Sequence, residues 1–153
     1  MAMVSPTRRL LFSAAPAICC FVIVLAPQKS LAWSFQRQDD LIVATEVKGE
    51  WSAYYSGTKN EAVFCIVGPY KVVPEADYAM KLRVGAGKWL EGNWTAYDHE
   101  TLCEMNTKTA HGLVGALVKH GSLEFGIYID EAFHSFQVTN DDWLRVMGGN
   151  WNP

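Results

Sequence analysis

The run AHGLVGALVKHGSLEFGIYID, residues 110–130, limits the folds open to this chain more than any other stretch. Its first half has the period of a helix. At about 100° per residue, Leu113, Val114, Ala116, Leu117 and Val118 share one broad arc, with His111, Gly115 and Lys119 opposite. Lys119 and His120 place positive charge in the last turn, and Gly121 supplies a left-handed stop. From Leu123 the period changes to two: Leu123, Phe125, Ile127 and Ile129 alternate with Glu124, Gly126 and Tyr128. A short helix over about 111–120, docked on a sheet, is the predicted centre of the molecule.

Strand signals surround it. Residues 41–47, LIVATEV, read as a first strand, and residues 50–56 and 61–67 as a hairpin closed by Gly57-Thr58-Lys59-Asn60. Both faces of 61–67 are apolar, which marks a central strand. Tyr78, Met80, Leu82 and Val84 alternate with Ala79, Lys81 and Arg83 in a half-buried strand. Phe133, Ser135, Gln137 and Thr139 alternate with His134, Phe136 and Val138 in the last strand, and residues 140–147 can add a short C-terminal helix around Trp143. The segment 89–103 carries no clear period. The predicted class is α+β and β-rich, with antiparallel sheets in a sandwich-like arrangement and no internal repeat.

The first 32 residues follow the plan of an export signal. Arg8 and Arg9 precede an apolar run over 10–26, and Ser30-Leu31-Ala32 supplies a small-residue cleavage site. The Arg8-Arg9 pair has the look of a twin-arginine signal, but the strong apolar run favours the general secretory route. Cleavage after Ala32 removes 32 of 153 residues and leaves one domain, 33–153, with no membrane span. Arg8, Arg9 and Lys29 leave with the signal, so 10 of 13 basic residues face all 16 acidic ones, a formal charge of −6. An acidic domain without a basic cluster has no electrostatic footprint for nucleic acid. Cys65 and Cys103 alone remain, and in an oxidising compartment they are expected to form a disulfide.

The order Trp51-Ser52-Ala53-Tyr54, then Phe64-Cys65-Ile66 and Pro69, resembles the opening of the invasion-associated locus B family of exported bacterial proteins. The passage from Leu113 to Leu123 is similar to that family's helix, lysine, glycine and strand sequence. Tyr54 or Tyr55 stands where a first cysteine often occurs, and a C-terminal cysteine is missing. The resemblance implies a periplasmic or secreted β-rich protein without a known active site, sometimes linked to host-cell entry.

Chemical motifs are sparse. Val84-Gly85-Ala86-Gly87-Lys88 lacks the glycine spacing and the following Ser or Thr of a phosphate loop. His99, His111, His120 and His134 have no metal-ligand spacing, so neither a metal nor a cofactor is expected. No serine stands in a nucleophile elbow, and no catalytic residue is assigned. Six tryptophans remain after cleavage. Trp51 and Trp143 suit the core, whereas Trp89 and Trp94, near glycines, together with Tyr97 form the candidate binding surface for a protein, peptide or glycan. The expectation is a non-catalytic exported binding protein. The alternative is a small secreted hydrolase that uses carboxylates and a histidine.

Overall fold

The computed structural model describes residues 33–141 and 143. The expected signal peptide, residues 1–32, lies outside them, as does most of the expected C-terminal helix. The elements in order are β1 (Ser34–Gln38), β2 (Leu41–Lys48), β3 (Trp51–Gly57), β4 (Ala62–Val67), β5 (Asp77–Val84), β6 (Trp89–Ala96), β7 (Thr101–Glu104), α1 (Thr107–His120), β8 (Ser122–Ile129) and β9 (Ala132–Thr139). The β-rich α+β class expected from the sequence is the class that forms. Its strands make one antiparallel sheet, ordered β1-β2-β3-β4-β7-β6-β5-β8-β9.

The sandwich-like layering comes from curling this one sheet rather than from two separate sheets. Phe64 of β4 stacks on Phe125 of β8 at 5.4 Å, although three strands lie between them in the ladder. Twist accumulates from strand to strand, so a sheet this wide folds over itself. Tight hairpins drive the curl. The β8–β9 turn leaves only Asp130 and Glu131 between the paired Ile129 and Ala132, both at positive φ (50° and 64°), the backbone hand that matches strand twist.

Helix α1 fills the curl. Asn106 caps it, accepting the Thr109 N–H at 3.0 Å, and Gly121 ends it at φ 86° with its N–H on the Leu117 carbonyl. The helix thus starts one turn before the apolar pattern that predicts it. Ala110, Leu113, Val114 and Leu117 are buried against the inner faces of β4 and β8. His111 departs from the wheel's forecast of a wet face: it is buried, and its Nδ1 lies 3.0 Å from the Tyr55 hydroxyl of β3. A wheel assumes one covered side, whereas the curled sheet wraps the helix on more than one.

Cys65 of β4 stands directly opposite Cys103 of β7, and the two form the expected disulfide, S–S 2.12 Å. With Val63 and the half-buried Tyr54 they form a small apolar cluster apart from the main core. The bond joins residues 38 apart in sequence and ties the β3–β4 hairpin to the strand that feeds the helix. On a chain-entropy basis a loop of that length is worth roughly 3–4 kcal/mol.

Among the described residues, the curl closes without a backbone ladder between β9 and β1. Trp33 Nε1 donates to the Thr139 carbonyl of β9 at 2.7 Å, and Lys48 Nζ donates to the Gln137 carbonyl at 3.0 Å. Trp51 stacks on Phe136 with rings 4° from parallel, and Trp143 packs edge-on against Trp33 and Phe35. Glu46, fully buried on β2, sits at this seam with Lys48 Nζ 2.9 Å away. Burial pushes its carboxyl above the ordinary 4.5, against the opposing pull of Lys48 and the Thr139 amide.

Two outcomes follow from this packing. Leu117 is fully buried and Lys119 exposed on the same helix. Leu117→Ala is expected to cost roughly 2–5 kcal/mol and Lys119→Ala no more than about 0.5 kcal/mol, read by chemical denaturation under oxidising conditions. Equal costs would mean the helix is not docked. For Glu46, a raised folded-state pKa means the folded protein holds that proton more tightly than the unfolded chain. The stabilisation is full below the ordinary 4.5 and is lost as pH rises through the folded value. Glu46→Gln keeps a neutral acceptor, so wild type should lose stability relative to this variant as pH climbs above 4.5, then run parallel to it. Parallel urea-denaturation curves throughout that window would contradict this account of Glu46.

Candidate functional site

The three residues singled out from sequence all lie on or just after β6, but the strand separates them. Trp89 is half-buried on the outer face of the sheet. Trp94, five positions on, points inward, because an odd spacing on a strand reverses the face. It is a core residue, 5% exposed, set edge-on to Phe64 and Phe125 at 6.2 and 5.5 Å. The structure thus places Trp94 in the core rather than at the expected recognition surface, because Gly92 and Asn93 hide the strand's alternation in the sequence. Tyr97 is half exposed in the turn beyond β6, where its N–H meets the Thr101 carbonyl.

Trp89 instead gathers with two aromatics that were not singled out. Register places Trp89, Arg83 and Glu124 in one row across β6, β5 and β8, and Tyr128 opposite Phe133 on β8 and β9. The Trp89 ring meets Phe133 edge-on at 5.9 Å and 88°, and Phe133 leans on Tyr128 at 4.8 Å and 45°. Gly126 makes this possible, since a side chain there would collide with the Phe133 ring. Arg83 lies 4.8 Å from the Trp89 ring and is ion-paired with Glu124, while Lys81 approaches Tyr128 at 5.8 Å. The rings are thus held from below and from the side, yet Tyr128 remains 61% and Phe133 43% exposed. A signal for Phe133 was present in the sequence: it is the aromatic member of the otherwise polar set Ser135, Gln137 and Thr139.

Titratable groups make a different pattern. The Tyr55–His111 pair belongs to the core, where burial raises the tyrosine hydroxyl above its ordinary range. His99 directs Nδ1 toward the Val72 carbonyl at 3.3 Å. Among the described residues, no three His, Cys, Asp or Glu side chains come together in a group able to hold a metal ion. Nor is any helix among them long and apolar enough to cross a membrane. No family model, curated protein or solved structure matches the chain.

Proposed function

We propose that this chain is a non-catalytic exported binding protein that recognises a partner through the Trp89–Phe133–Tyr128 cluster. One observation carries the reading: large aromatic rings stand exposed on a sheet face yet are already fixed by neighbours. Pre-fixed rings lose little freedom when a partner covers them, which is why aromatic anchors dominate binding surfaces. The rings are tilted to one another rather than coplanar, so the cluster offers notches for protein or peptide side chains more readily than a flat platform for a sugar polymer. Export belongs to the same proposal, resting on the plan of residues 1–32. The resemblance to the invasion-associated locus B family supports it as well.

Tyr128→Ala tests this cleanly, because Tyr128 is the most exposed ring and covers no glycine. Wild-type and variant domains, immobilised in parallel, are exposed to envelope and host-surface extracts, and retained material is quantified by mass spectrometry. The proposal expects a set of partners enriched on wild type and reduced about tenfold or more on the variant, with an unchanged thermal midpoint. Identical retention on both proteins would remove the cluster from the reading.

A further inference from the structure

Gly92 leaves a gap in the inner face of the sheet. Its inward neighbours on β6 are Leu90 and Trp94, and the pairing sets it opposite the buried Met80 of β5. A Cβ built at Gly92 would meet nothing within 4 Å. The space that a side chain would fill opens instead as a cleft of about 160 Å³ between α1 and the β5–β6 hairpin. Met80, Leu82, Leu90, Trp94, Leu113 and Phe125 line it, with Trp94 and Phe125 edge-on to one another at 5.5 Å. Leu90 is 56% exposed, so solvent reaches the cleft beside it.

One ionised side chain enters this apolar lining. Lys81 and Glu91 border the cleft by their backbone, since parity puts their side chains on the outer face, where they pair at 3.6 Å and Lys81 approaches Tyr128. Glu104 differs. It stands opposite Phe64 of β4, whose ring is in the core, and two places after the inward Leu102, so it shares the inner face. One step on from the Thr95↔Cys103 pair, it lies beside Trp94. The Asn106 N–H holds Glu104 Oε1 at 2.8 Å, and the Asn106 side chain takes the Thr109 N–H and hydroxyl at 3.0 and 3.2 Å. The start of α1 thus fixes the carboxylate at the rim before any ligand arrives. Among the described residues, no hydrogen bond or ion pair engages Glu104 Oε2.

We infer that this cleft is a binding site for a small amphipathic amine, a molecule with one benzene-sized apolar group and an ammonium on a short carbon chain. An apolar cavity of about 150 Å³ holds a benzene-sized group, and here the Trp94 and Phe125 rings stand in its wall. The ammonium donates to Glu104 Oε2, a charge-assisted bond set beside apolar walls, where such bonds are stronger than in water. The walls supply affinity and the carboxylate supplies selection. An alcohol of the same shape forfeits the charge, and an acid meets repulsion. The site is independent of the ring cluster: the cleft lies on the inner face of β6 and the Trp89 ring on the outer.

The test titrates the oxidised protein with 2-phenylethylamine, followed by backbone amide and indole NMR. Saturable shifts are expected at Gly92, Leu113 and the Trp94 indole, with an affinity at least about tenfold above that of 2-phenylethanol and higher still over 3-phenylpropanoate. Gly92→Ile fills the open space and should weaken amine and alcohol alike by about tenfold or more. Glu104→Gln keeps an acceptor for the Asn106 N–H and removes the charge, so the amine should fall to the level of the alcohol while the alcohol is unchanged. Tyr128→Ala should leave every titration as it was. Absence of saturable shifts up to about 10 mM amine, a range that covers even weak ligands of this size, would overturn the proposal. So would a Glu104→Gln protein that keeps the preference for the amine. Equal affinity for amine and alcohol on the unaltered protein would overturn it too, and that comparison stands whatever either variant does to folding. Shifts confined to Trp89, Phe133 and Tyr128 would also overturn it, because the ring cluster would then be the site.

Discussion

The constraint on which the structure depends is the seam where β9 meets β1 and β2. Among the described residues the nine-stranded antiparallel sheet curls until its two ends approach, but β9 and β1 are not paired in a ladder. The exposed edge of β9 must still be satisfied. Trp33 takes the Thr139 carbonyl and Lys48 the Gln137 carbonyl, with Glu46 buried between them. Side chains thus do the work that backbone groups do elsewhere in the sheet. Around these polar contacts, Trp51 on Phe136 and Trp143 on Trp33 exclude water, which strengthens each hydrogen bond.

Closing the curl at that seam has consequences on the far side of the sheet. The helix must lie inside the curl, so the chain has to leave the sheet to form it, and it leaves after only four residues of β7. The same departure that buries Leu113 and Leu117 strands the first half of β6. One sheet therefore carries a defended edge at β9 and an undefended length at β6. The outer face repeats the contrast. Cys65, Cys103 and Val63 are nearly covered, whereas Tyr128 and Phe133 stand out over Gly126. The exposed aromatic rings thus sit on the β8–β9 hairpin beside β5 and β6, over the most open part of the outer face.

Much of this was legible because local periods agreed with the final packing. The β3–β4 hairpin, the inward face of β8 and the burial of Leu117 each follow from spacing alone. β1 was missed because Ser34–Gln38 is almost entirely polar, as an edge strand exposed on several sides can be. Glu46 shares the inward face of β2 with Ile42 and Ala44, and nothing local in 41–47 shows that its surroundings come from Lys48 and the distant Thr139. His111 was misplaced because the helix is wrapped by strands distant in sequence, β3 among them. Trp94 went inward because strand parity outweighed its glycine-rich neighbourhood, and the cluster that holds Trp89 required the register of four strands. Glu46, His111 and the Trp89 cluster share one cause: each depends on which strands the curl brings together.

Amide hydrogen exchange along β6 examines this arrangement most directly. The account predicts alternation, with Leu90, Gly92 and Trp94 slow because they bond to β5, and Trp89, Glu91 and Asn93 fast because their amides face the side of β6 that has no strand partner there among the described residues. Thr139, at the closed seam, should exchange slowly. Uniform protection along residues 89–94, or fast exchange at Thr139 in the intact oxidised domain, would contradict a sheet that is sealed by side chains at β9 and open at β6.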